Sequence, residues 1–183
     1  HYLFQGVPEE NPGAVEFFQK RGYQAAWSSV NMRLDLAGYD PGQVDIPPVP
    51  EGVAFRLLET GEEPALLAAV EDAQPAWLEF YQGCPSPILV AAEQGQLVGF
   101  AMVPPEGGRF LGDVEKPGSL ECVGVVKSHR NRGIGMGMVL AGIRWLKEQG
   151  CGSIELRYVA LEDWYEKVGF CTFQRMWMGE KNL

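Results

Sequence analysis

Apolar residues recur at every second position along some stretches of this chain and every three to four along others, and the changes of period mark its elements. "VAFRLLE" (53–59) alternates like a strand with one buried face. "EEPALLAAVEDAQPAWLEFYQ" (62–82) carries helical spacing that breaks near Pro75. "PILVAAE" (87–93) and "QLVGFAMV" (96–103) read as a hairpin turning at Gln94–Gly95. The strand "LECVGVV" (120–126) precedes a helix whose Met136, Val139, Leu140, Ile143 and Leu146 follow i, i+3, i+4 spacing and which Gly150 ends. "SIELRYV" (153–159), a short helix around Trp164 and Tyr165, and the closing strand "CTFQRMWM" complete the order. The expected fold class is α+β, a mixed and mostly antiparallel sheet flanked by helices.

One piece of the pattern occurs twice. "FFQKRGY" (17–23) and "WYEKVGF" (164–170) both read aromatic, aromatic, polar, Lys, any, Gly, aromatic, and they stand 147 residues apart. Each fits a short helix, a glycine able to take positive φ at its end, and an aromatic opening a strand. The first copy leads into "WSSVNMRLDL" and then into 38–52, whose prolines and glycines read as a linker. Residues 1–37 are therefore expected to be the C-terminal remnant of an earlier domain and 53–183 a second domain. So short a piece cannot bury its own Phe17, Phe18, Tyr23 and Trp27, so it should pack on that domain or on a second copy in a homodimer.

Composition narrows the chemistry. No apolar run reaches membrane-spanning length, and the start has no signal-peptide layout. Cys84, Cys122, Cys151 and Cys171 form no C-x-x-C pair, and His1 and His129 are the only histidines, so spacing assembles no metal site. Reduced thiols and a cytoplasmic location follow. A net charge of −9 argues against nucleic acid as a partner and suits a cationic one better.

"RNRGIGMGMVL" (130–140) departs from that acidity: from 121 to 150 five basic residues face two acidic ones. Glycines where a helix begins bare its free N–H groups to an anion, and the helix dipole adds about 0.3–1 kcal/mol. Two familiar phosphate motifs fail. Met136–Gly137 follows Gly135 where a Walker loop needs G-K-[ST], and Met138 stands where a dinucleotide fingerprint needs its third glycine.

The stretch Arg130-Asn131-Arg132-Gly133-Ile134-Gly135, after the strand "ECVGVV", resembles the R/Q-x-x-G-x-G/A acyl-CoA loop of the GNAT superfamily of N-acetyltransferases. "WYEKVGF" is similar to that family's second motif, and the resemblance covers 53–183 in element order. The echo at 17–23 makes the parent look like a tandem GNAT. Two departures are visible: Lys127 stands where many members have proline, and Asn11, ahead of the first copy's helix, has no counterpart ahead of the second.

The resemblance implies acetyl transfer from acetyl-CoA to a primary amine of a small molecule or peptide. The acyl-CoA would be held by Arg130, Asn131, Arg132, Gly133, Ile134, Gly135 and Met136. Backbone N–H groups of Val123 or Val125 would polarise the thioester carbonyl, and Tyr165 aligns with the tyrosine that protonates the leaving thiolate. In the first copy Phe18 takes that place and has no proton to give. Counting along the strand puts Glu121 on the face of Val123 and Val125 as a base acting through water. Asp113 and Glu115 on the preceding loop are the alternatives; His129, between Lys127 and Arg130, reads as a phosphate-side or surface residue, and Trp77, Phe80 and Tyr81 would either surround the acceptor or pack the core. The competing reading is a non-catalytic acyl-CoA-binding or interaction module, which shares every glycine argument but not Tyr165.

Overall fold

The computed structural model describes residues 6–106 and 117–181. Asp113 and Glu115 lie outside them. In chain order the elements are β1 (Val7–Pro8), α1 (Pro12–Gln19), β2 (Gln24–Asp35), β3 (Val53–Leu57), α2 (Glu63–Ala73), α3 (Leu78–Tyr81), β4 (Ile88–Glu93), β5 (Gln96–Met102), β6 (Pro117–Ser119), β7 (Glu121–Val125), α4 (Ile134–Glu148), β8 (Ser153–Val159), α5 (Glu162–Glu166) and β9 (Cys171–Glu180). Among the described residues no helix is long and apolar enough to cross a membrane. The chain divides into two compact units, one from Asp35 to Ile154 and one joining the chain before Asp35 to the chain after Ile154.

In the first unit β3, β4, β5 and β7 form an antiparallel sheet in that order, which leaves β7 on an edge. The β4–β5 hairpin turns on Gln94 and Gly95, both at positive φ, the geometry that matches the twist of paired strands. Consecutive residues of β5 mark the two faces. Phe100, fully buried, meets Trp77 and Tyr81 edge-on at 6.5 and 5.2 Å, so α3 covers its face. A side chain on neighbouring Gly99 would run into Met138 of α4, so α4 covers the opposite one. The helical spacing read from sequence is what α4 buries: Met136, Val139, Leu140, Ile143 and Leu146 are all buried, and Met138 is enclosed with them. Each such side chain contributes about 1.5–3 kcal/mol over the exposed state. Pro75 ends α2 as expected, and the chain resumes through a 3-10 turn, Pro75–Trp77, into α3.

Residues 38–52, read as a linker from their prolines, and Leu36 just before them touch α4 and the turn after it. Leu36 donates its N–H to Gly152 O at 3.0 Å, and the Lys147 ammonium donates to Tyr39 O at 2.7 Å. Both partners belong to α4 or the turn after it.

The second unit is built on the repeated motif. Its strands run β1, β9, β2, β8, and β2 pairs antiparallel with β9. The copies match atom for atom in their caps. Tyr23 N donates to Phe18 O at 3.2 Å and Gly22 N to Gln19 O at 3.0 Å; the equivalent Phe170 N donates to Tyr165 O at 3.3 Å and Gly169 N to Glu166 O at 2.9 Å. The aromatic clusters match too, Phe17–Phe18–Tyr23 in one and Trp164–Tyr165–Phe170 in the other, each pair edge-on. Ser29 and Met176, equivalent under the 147-residue offset, are register partners, so the copies pair about a local pseudo-two-fold axis. Asn11 caps α1 by accepting from Ala14 N at 3.1 Å, whereas the shorter α5 has no side-chain cap.

Polar side chains of β2 fasten the early segment to the end of the chain. Glu155, buried, accepts from Arg33 Nε at 3.0 Å and from Arg157 at 2.6 Å. Asn31 donates to Gln174 at 2.8 Å and accepts from Tyr158 N. A charge as deeply buried as Glu155 is tolerated only when paired in this way.

Candidate active site

Glu121, Val123 and Val125 lie on β7, which runs through a 3-10 turn, Lys127–His129, directly into the glycine loop at the start of α4. Tyr165 stands in the other unit, on α5, half-buried and with its ring edge-on to Trp164 and Phe170.

β7 does not alternate as counting assumed. Met102 pairs with Glu121 and Phe100 with Gly124, so two steps on β5 match three on β7. The extra residue is a β-bulge at Cys122–Val123, with Cys122 in the left-handed region at φ 49°. Glu121 therefore shares the face of Gly124, over Phe100 and Met102, and not that of Val125, which pairs with Gly99. The expected common face of Glu121 with Val123 and Val125 is corrected accordingly. The exposed Glu121 stands on the α3 side of the sheet. As an edge strand with a bulge, β7 has backbone groups left out of the ladder.

The bulge is pinned from below. The buried Tyr81 hydroxyl donates to Cys122 O at 2.9 Å. Burial raises the Tyr81 phenol far above its ordinary value, so it remains a donor at every physiological pH, and burial also pushes the Cys122 thiol up to about 12. Tyr81 further lines a cleft of about 530 Å3 with Leu57, Glu63, Leu66, Leu67 and Cys84. Of the three aromatics expected around an acceptor, Tyr81 borders this cleft, Trp77 packs on Phe100, and Phe80 is substantially exposed.

In the glycine loop, side chains turn inward and hold the main chain in place. Arg130 donates to Val125 O at 3.1 Å and to Ala73 O at 2.9 Å. Asp72 accepts from Lys127 N at 2.7 Å. Arg132 forms a two-pronged bond to Glu93 at 2.8 and 3.1 Å, and His129 Nε2 lies 3.0 Å from the same carboxylate. The Arg132 hydrogen bond is the chief reason the Glu93 carboxyl sits below its ordinary range, with the His129 charge adding to it. The positive charge read locally is thus partly spent on carboxylates from distant elements. Ile134 and Met136 bury their side chains, so they can offer a ligand only their backbone. Among the described residues the N–H groups of Ile134, Gly135 and Met136 meet no acceptor, and Gly137 N makes the first bond of the helix, to Gly133 O at 3.0 Å. Gly133, at φ 77°, sets the direction of that first turn.

Sequence reasoning missed Glu93 and Asp72 as parts of this site, and it named Tyr81 for the acceptor without its bond to Cys122. Each is remote along the chain from the group it holds, and nothing in its own neighbourhood signals the contact.

Residues 52–170 match the Acetyltransferase (GNAT) family. No curated protein sequence matches the chain. Among solved structures it is similar to the GCN5-related glucosamine N-acetyltransferase region of a fungal multi-domain GH3 β-N-acetylglucosaminidase, with 25% identity and TM-score 0.80 over 97% of this chain and 24% of that one. A GCN5-related N-acetyltransferase from Sphaerobacter thermophilus follows at 22% identity and TM-score 0.75, over 96% of this chain and 58% of that one. A tandem GNAT protein from the clavulanic acid biosynthesis pathway aligns at 19% identity and TM-score 0.66, over 98% of this chain and 61% of that one. The chain thus spans less than two thirds of the length of each. The match takes in the bulged edge strand, the glycine loop and the helix, and the chain belongs to the GNAT acetyltransferase family.

Proposed function

We propose that the chain is an N-acetyltransferase region that moves an acetyl group from acetyl-CoA to a primary amine. The observation that carries this reading is the start of α4, where three successive N–H groups are bare and the Arg130 and Arg132 side chains are turned to hold the loop. The loop fits a diphosphate: its donors are fixed, its first turn carries the positive end of a helix dipole, and half-buried Gly135 adds no side chain in front of them. Acetyl-CoA is the substrate that members of this family generally use, and when bound it supplies an activated thioester.

The chain's own residues do the rest. Asn131 and the N–H groups of Ile134, Gly135 and Met136 bind the diphosphate. Main-chain N–H groups of the bulged strand, from Val123 or Val125, polarise the acyl carbonyl. Tyr165 holds the proton given to the departing sulfur, and Glu121, exposed on the face that carries α3, takes the ammonium proton through water. Phe18 occupies the Tyr165 place in the earlier copy and is inert. Residues 1–37 are the tail of a preceding GNAT-like domain, a reading supported by the matched caps and the pseudo-two-fold pairing. The cysteines stand as free thiols, which fits a reducing, cytoplasmic setting.

Thiol release from acetyl-CoA, screened over aminosugars, polyamines, amino acids and peptide N-termini, tests the activity. Tyr165→Phe should lower turnover about 10²–10⁴-fold with CoA affinity kept. CoA binding with no turnover on any acceptor would instead favour a non-catalytic acyl-CoA module.

A further inference from the structure

We infer that the segment from Leu36 to Pro50 is a strap that positions the cofactor loop, lying so close to Gly133 and Gly137 that a side chain at either would meet it. The inference rests on the reading of that loop as the CoA site. The segment runs the length of α4 against its direction. Leu36 is bonded to Gly152 beyond the helix C-terminus and Tyr39 to Lys147 in its last turn, while the 3-10 turn Pro41–Gln43 packs on the helix. Val49 then reaches Gly137, where a Cβ would stand 2.7 Å from Val49 Cγ2 and 2.6 Å from the Phe55 ring. Finally, the carbonyl oxygens of Pro48 and Pro47 would stand 2.8 and 3.0 Å from a Cβ on Gly133.

These distances change what the glycines mean. A glycine in the first turns of a helix weakens it, and here two of the three purchase an approach by the chain's own backbone and side chains. Gly135 is left as the one whose small size serves the ligand directly. Proline suits the wall it forms, since its fixed φ holds the carbonyls in one direction and it has no N–H to compete with the loop's donors. The loop is thereby fixed from three directions before ligand arrives: by Ala73 and Asp72 at the end of α2, by Glu93 at the end of β4, and by the strap. Donors already fixed in the binding geometry cost less to order when the ligand binds.

The test separates affinity from folding. Pro47 and Pro48 are exposed, so Pro47→Gly/Pro48→Gly loosens the strap without opening the core. Calorimetric titration with CoA should show the dissociation constant raised about tenfold or more, with turnover at saturating acetyl-CoA within about twofold of wild type. Gly137→Ala, which crowds the Val49 seat, should raise it as well, and Val49→Ala added to it should recover part of the loss. Lower melting temperatures with unchanged CoA affinity in both variants would reduce the strap to packing and overturn the proposal. Absence of CoA binding by the wild-type chain would instead remove the reading of the site itself, and the strap's role with it.

Discussion

The Tyr81 hydroxyl donates to the carbonyl oxygen of Cys122, the bulge residue whose φ of 49° bends β7. A non-glycine residue in the left-handed region is held there only when its surroundings favour it, and this hydrogen bond from a buried ring is the visible restraint. Tyr81 itself is braced edge-on by Phe100, so the bulge is tied to the middle of the sheet.

Tyr81→Phe should therefore keep the ring packing and lose the restraint. Stability should fall by about 1 kcal/mol, the net worth of one such bond. Turnover should fall further than CoA affinity, because the bulged strand, not the glycine loop, loses its register. Equilibrium unfolding beside steady-state kinetics checks both; unchanged kinetics would show that the bulge holds without Tyr81.

The Arg56–Glu62 pair gives a pH signature. Arg56 reaches both oxygens of Glu62 at 2.7 Å, and Glu59 N donates to one of them at 2.9 Å, which together hold the Glu62 pKa to about 2 against an ordinary 4.5. A carboxyl depressed in the folded chain contributes stability that is whole above pH 4.5 and fades as pH falls toward 2. Glu62→Gln should lower the melting temperature above pH 4.5 and shallow its decline below. Parallel melting curves for the two proteins across that range would contradict the assignment.

The matched caps predict matched penalties. Gly22 and Gly169 sit at φ 84° and 94°, and alanine in the left-handed region costs about 1–2 kcal/mol. Gly22→Ala and Gly169→Ala should each destabilise by that amount, to within experimental error of one another. A loss at Gly169 alone, measured by denaturant unfolding, would show that the early copy contributes little to the fold.

Local pattern carried the fold far. The Gln94–Gly95 hairpin, the break at Pro75, the apolar stripe of α4 and both copies of the helix–Gly–strand motif are all written within short windows of sequence. β1 and β6, of two and three residues, are too short to show any period. At the site, the glycine loop was legible because its motif is contiguous. The bulge was not: Cys122 and Val123 look like ordinary strand residues, and the extra step appears only in the pairing with β5. Glu93 holds Arg132, and Pro47 walls Gly133, from positions that no window around the loop includes. A proline-rich stretch reads as a linker by composition, and packing against α4 is a tertiary fact.

The bare backbone N–H groups at the start of α4 are the proposed seat of the CoA diphosphate. The most direct measurement is the thermal stability of the wild-type chain and of Gly135→Asp with CoA or ATP added. CoA should stabilise the wild type, by about 2.7 kcal/mol at a hundred times the dissociation constant, and should not stabilise Gly135→Asp, whose carboxylate would face the diphosphate. A wild-type shift with ATP and none with CoA, or an undiminished CoA shift in Gly135→Asp, would contradict this assignment.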